Sequence, residues 1–228
     1  MNQEKKIKIL WDVDDVVIKT SEYIIEKLNE RYNITPPASI YELKDWGYKS
    51  IIKRISNRAE RKRLMEDKSE IWELFESEGF WKNVKLREGF LNLWNNEIIK
   101  DNYEFVFASK GSEKNLEFKE KYLKEKLGIK EEDKIKFIGM SLCTEKGKPE
   151  NHDKSFLDIS ESIQIDDRYS CLNTNASLKI LLKNYIDTNY NKRIDEREDL
   201  YEVNSLEEIK ELLIFNVLNN NILLKGWD

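Results

Sequence analysis

Three carboxylates crowd into four positions, Asp12, Asp14 and Asp15, directly after an apolar run containing Ile7, Ile9, Leu10 and Trp11. Such a run predicts a buried strand, and like charges left unpaired at its end would cost several kcal/mol each. Other polar groups take comparable places. Ser109-Lys110-Gly111 closes the run "YEFVFASKG", Lys154 stands in the polar stretch ahead of "SIQI", and Asp166-Asp167-Arg168 follows that run. In an open parallel sheet, ligands bind outside the carboxyl ends of the strands. Carboxylates, a hydroxyl and a lysine would meet there, and a divalent cation would neutralise the acids. Oxygen ligands of this kind suit Mg2+.

The elements that must position these residues can be read along the chain. Residues 6–12 predict a strand, and "TSEYIIEKLNERYN" (20–33) repeats apolar positions at helical spacing, with Thr20 and Ser21 as N-caps. Pro36-Pro37 marks a boundary. From Ile40 to about Val84 the chain is helical, charged and rich in aromatic residues, which reads as an inserted cap. "LREGFLNLWNNEIIKD" predicts one helix, Tyr103–Gly111 a strand, and 112–127 a helix closed by Gly128. Short strands follow at "IKFIG" (135–139), "ESIQIDDR" and "LKILLKN", then a C-terminal helix from Asn204. Strands alternating with helices predict an α/β fold, a Rossmann-like three-layer core around a parallel sheet. The expected division is a core of residues 1–34 and 85–228 with a small helical cap, 35–84, inserted after the first strand-helix unit.

Composition narrows the function classes. Of 228 residues, 39% are hydrophobic and 36% charged, with a net charge of -5, which argues against a dedicated nucleic-acid binder. No apolar run approaches the roughly 20 residues of a membrane span, and the N-terminus shows no signal-peptide pattern. Two cysteines, Cys143 and Cys171, are too few for a disulfide framework and read as packed thiols. A cytoplasmic protein is expected. His152 is the only histidine, so multi-histidine metal sites are excluded and carboxylates and lysines are left to carry any chemistry. The basic run Lys53–Arg63 reads as a solvated helix face.

Taken together, the motifs resemble those of the haloacid dehalogenase-like phosphohydrolases, and more narrowly their 5′-deoxyribonucleotidase branch. "ILWDVDDVV" resembles the first motif, "FVFASKGS" the second, and "DKSFLDISESIQIDDR" the lysine and acidic pair of the third and fourth. "EIWELFESEGFWKNVKLREGF" resembles the nucleotidase cap where the core resumes. The resemblance implies a Mg2+-dependent phosphomonoesterase with Asp12 as nucleophile and Asp14 as general acid and base. Ser109, Lys110 and Lys154 would hold phosphate. Asp12, the main-chain carbonyl of Asp14, Asp166 and, more distantly, Asp167 would hold the metal. Asp15 departs from the glycine common in relatives, and Lys146 and Lys148 compete with Lys154 for the lysine role.

The implied substrate is a small phosphomonoester, a nucleoside or deoxynucleoside monophosphate, with Trp46 and Tyr48 of the cap stacking on the base. A sugar phosphate or other small phosphoester, a non-catalytic binding descendant, and a nucleic-acid end-processing phosphatase remain as alternatives. No membrane or nucleic-acid partner is expected, and the oligomeric state, a homodimer included, stays open.

Overall fold

The first strand, β1 (Ile7–Trp11), sends Ile9 and Trp11 into one large apolar cluster and Leu10 into a second, smaller one. A strand presents alternate side chains to opposite faces, so β1 lies in the interior of its sheet. The computed structural model describes residues 6–45, 47–130, 136–141, 154, 157–183 and 199–219. Within them, β2 (Tyr103–Gly111), β3 (Phe137–Ser141), β4 (Ser162–Asp166), β5 (Leu178–Leu182) and β6 (Leu200–Val203) complete one sheet. Every pairing is parallel and the order is β3-β2-β1-β4-β5-β6. The chain builds outward from β1 in one direction and resumes at β4 in the other. The topological switch therefore lies between β1 and β4.

Helices flank this sheet, as the alternating pattern predicts. After α1 (Thr20–Tyr32) come the short helices α2 (Lys49–Ile52), α3 (Arg58–Glu66), α4 (Ser69–Phe75) and α5 (Glu78–Asn83), with no strand among them. The expected single helix before β2 is two, α6 (Phe90–Trp94) and α7 (Glu97–Asn102), because the Asn96 side chain accepts from the Ile99 amide and starts a new helix. Then α8 (Glu113–Lys126) follows β2, and α9 (Leu206–Leu218) closes the described chain. Strand β3 runs two residues later than expected, and β6 was not anticipated. Thr20 and Ser21 do not cap α1; Lys19 holds that position, and both hydroxyls turn back toward the acidic loop.

The helices between α1 and α6 share a core with the sheet domain. Ile51, Leu64, Ile71 and Phe80 join Ile24 and Leu28 of α1 in the large cluster. The chain leaving the sheet and the chain returning to it are laced together. Lys19 donates its amide to Lys85 O at 2.9 Å, and Arg87 donates its amide to Val17 O at 2.8 Å. An aromatic series Phe75, Phe80, Trp81 and Tyr122 runs on to α8, with ring centroids 4.8–5.7 Å apart. Asn115 of α8 donates to Phe75 O at 2.9 Å and the Tyr122 hydroxyl to Val84 O at 2.8 Å. Tyr122→Phe leaves that buried carbonyl without its donor. The variant should lose about 1–3 kcal/mol of unfolding free energy in urea, and an unchanged midpoint would show that the contact contributes nothing.

Candidate active site

The end of β1 is fixed from β4, because Asp12 donates its amide to Ile165 O at 2.9 Å. This places the Asp12 side chain beside Asp166, the last residue of β4. Lys154 bridges them, its Nζ 2.5 Å from Asp12 Oδ1 and 2.7 Å from Asp166 Oδ2. The second oxygen of Asp166 accepts the Arg168 amide at 2.9 Å. Asp12, Asp166 and Asp167 each offer a carboxylate oxygen within 4.8 Å of the others.

Asp14 is held apart from this group. Thr20 Oγ1 donates to its Oδ1 at 2.9 Å, and Lys119 Nζ donates to its Oδ2 at 2.5 Å. Lys119 also donates to Ser109 Oγ at 2.7 Å and to Lys110 O at 2.9 Å. Its side chain is 1% exposed and that of Lys154 3%, so two ammonium groups are buried among the acids. Sequence reasoning missed Lys119, although its signal was present. It falls on the buried face of α8 with Asn115, Tyr122 and Leu123, where helical spacing calls for an uncharged residue.

Asp15 adopts φ 56°, in the left-handed region. This conformation is open to glycine and tolerated by aspartate, whose short side chain can bond locally. Its carboxylate does bond locally: it accepts the Ser21 amide at 2.8 Å and the Ser21 hydroxyl, while its carbonyl accepts from Arg87 Nη1 at 2.5 Å. Asp15 thus ties α1 and the returning chain to the acidic loop.

One cavity of about 740 Å³ opens over these groups. Asp12, Asp14, Lys119, Lys154, Asp166 and Asp167 form its floor, and Lys110 and Arg168 lie on its wall. Ser109 is fully buried and bonded to Lys119, so it reaches the cavity through that lysine. Tyr48, expected to stack on a base, is wholly buried and off the cavity wall. Its hydroxyl lies 3.1 Å from Ser21 Oγ, and burial pushes its pKa up. Among the described residues, the aromatic ones facing the cavity are Trp72 and Phe75 of α4, whose rings lie 5.7 Å apart. Trp46, Cys143, Lys146, Lys148 and His152 lie outside the described residues. Cys171 is buried on the cavity wall, and burial raises its thiol pKa.

Burial pushes the Asp12 carboxyl up to about 7 against the Lys154 ammonium, with the Asp166 and Asp14 charges adding to the rise. It pushes Asp15 up to about 6 against the hydrogen bonds from Ser21. Asp167 is raised well above the usual carboxylate range by burial and by Asp166, Asp15 and Asp12. Burial opposes the charge of Lys154, but Asp12 and Asp166 outweigh it and hold the ammonium above the ordinary lysine value. All-oxygen donors raised by burial and, to a smaller extent, by mutual repulsion suit a hard divalent cation, whose positive charge would lower them again.

No family model and no curated protein matches the sequence. Solved structures do resemble it. A proposed phosphoglycolate phosphatase from Lactobacillus delbrueckii subsp. bulgaricus is 13% identical, with 91% of this chain and 98% of that one covered at a TM-score of 0.50. A subfamily IA haloacid dehalogenase-superfamily hydrolase from Geobacter sulfurreducens is 13% identical over 91% and 96%, at 0.48. A haloacid dehalogenase-like hydrolase from Xanthomonas campestris is 13% identical over 94% and 98%, at 0.47. The Lactobacillus protein shares the fold of this chain. Among the described residues no helix is long and apolar enough to cross a membrane.

A carboxyl with a higher pKa in the folded state stabilises that state while protonated. For Asp12 this stabilisation is complete below its ordinary value near 4 and is lost as pH rises to about 7. In EDTA, the Tm of Asp12→Asn relative to wild type should therefore climb by roughly 3 °C or more between pH 5 and pH 8. A difference independent of pH would contradict the raised value.

Proposed function

We propose that this protein is a phosphomonoesterase working through a phospho-aspartyl intermediate on Asp12, with nucleoside monophosphates as substrates. One observation carries the reading. Asp12 shares Lys154 with Asp166, while Asp14, two residues on, is held independently by Lys119 and Thr20, and both carboxylates face one cavity. A nucleophile and a proton carrier need such separate supports, because each must keep its own protonation state and orientation.

In the first step a carboxylate oxygen of Asp12 bonds to phosphorus as the ester P–O bond breaks, and Asp14 gives its proton to the departing alkoxide. In the second, Asp14 takes a proton from water, the water oxygen bonds to phosphorus, and the P–O bond to Asp12 breaks to release phosphate. Lys154 and Lys110 would hold the phosphoryl oxygens, a positioning role that dominates phosphoryl transfer. Ser109 would orient Lys119 and join that contact. Asp12, Asp166, Asp167 and the Asp14 carbonyl would hold Mg2+. When bound, that ion would supply positive charge to the acidic cluster and to the phosphoryl oxygens. The helices α2–α5 would act as the cap, and Trp72, 37% exposed on the cavity wall, would stack on the base in place of Tyr48.

Phosphate release should be assayed across ribo- and deoxyribonucleoside monophosphates and sugar phosphates, with Mg2+ and with EDTA. Release that needs metal, favours nucleotides and disappears in Asp12→Asn is the expected outcome. Release spread evenly over sugar phosphates would discard the nucleotide assignment, and silence throughout would discard the catalytic one. Lys119→Met should lower kcat by roughly 10–100-fold with a smaller change in KM, since it acts on Asp14. Trp72→Ala should raise KM for nucleotides by about tenfold at similar kcat. A fall in kcat alone would place Trp72 outside substrate binding.

A further inference from the structure

The cavity has a second charged end, formed by the helices between α1 and α6. The short helix α4 and its N-cap present Lys68, Trp72, Phe75 and Glu76 to it, spacings that share one helix face. Asp45, Gly47 and Lys49 line the same end. The two acids there are engaged. Asp45 accepts the amides of Lys49 and Ser50 at 3.1 and 3.3 Å, and Glu76 accepts the Ser112 hydroxyl at 2.6 Å. The two ammonium groups are not: among the described residues neither Lys49 Nζ nor Lys68 Nζ has an ion-pair or hydrogen-bond partner. The Lys68 ammonium lies against Gly47, in space that a Cβ at that position would overlap. At the catalytic end, by contrast, Lys119 and Lys154 are consumed by Asp14, Asp12 and Asp166.

The geometry points to a second anion subsite at Lys49 and Lys68, so that the preferred substrate carries a phosphate or carboxylate on its leaving group as well as the ester phosphate. This rests on the phosphomonoesterase chemistry of that reading and moves its substrate from a nucleoside monophosphate to a phosphomonoester with a second anionic group. Two ammonium groups without carboxylate partners, on the concave wall beside an exposed indole, attract an anion attached to a flat or compact body. The neutral remainder of the substrate would span the Trp72 and Phe75 faces between the two charged ends.

Binding of matched probes tests this without turnover. Adenosine 3′,5′-bisphosphate is compared with adenosine 5′-monophosphate, and 3-phosphoglycerate with glycerol 3-phosphate, on the full chain in EDTA by calorimetry. The doubly anionic member of at least one pair should bind about tenfold more tightly. That ratio should fall to about one in Lys49→Gln/Lys68→Gln and persist in Lys53→Gln/Lys62→Gln, which removes equal charge elsewhere on the same helical segment. The pair that discriminates identifies phosphate or carboxylate as the second group. Equal affinities in wild type, no binding by either doubly anionic probe, or a ratio that survives Lys49→Gln/Lys68→Gln overturns the subsite. Metal-dependent phosphate release lost in Asp12→Asn reports on the catalytic reading separately, so either can fail alone.

Discussion

Five carboxylates, Asp12, Asp14, Asp15, Asp166 and Asp167, are concentrated around the switch between β1 and β4, and the structure is arranged around compensating them. Isolated, such groups would be forced toward protonation by burial. Two buried lysines on different elements divide the task. Lys154 neutralises Asp12 and Asp166, and Lys119 neutralises Asp14. Asp15 is satisfied by the Ser21 amide and hydroxyl at the start of α1. At Asp167, burial and like charge outweigh the opposing Arg168 charge, a condition in which a cation gains.

These compensations also connect the parts of the fold. α1 supplies Thr20 and Ser21 to the acidic loop and packs against the helices that follow it. α8 supplies Lys119 to Asp14 and, through Asn115 and Tyr122, binds the chain at Phe75 and Val84. The same two helices therefore position the carboxylates and anchor the wall opposite them. Trp72 on that wall is placed through Phe75, whose ring it meets and whose carbonyl Asn115 holds. The acidic loop and the wall opposite it thus share one set of supports.

Much of this was legible beforehand. The parallel sheet followed from apolar runs alternating with helical spacing; Asp12 and Asp166 were singled out at strand ends and Lys154 in the loop ahead of a strand, and the three do converge. The failures have physical causes. The helix before β2 was read as continuous because its apolar spacing survives the break, while the Asn96 side chain that starts the second helix acts locally. β6 is four residues long and its pairing with β5 is non-local. Thr20 and Ser21 were read as caps because their types suit that place, yet their hydroxyls donate to the carboxylates of Asp14 and Asp15, each six residues earlier.

The sequence alone determined which residues could do chemistry and on which strand ends they would stand, because period-two and helical patterns reveal buried faces and charges stand out against them. Only tertiary structure decided the partners. It assigned Lys154 to Asp12, found Lys119 for Asp14, buried Tyr48, and put Trp72 on the cavity wall. Those outcomes depend on distances between residues far apart in the chain, and no local pattern encodes such distances.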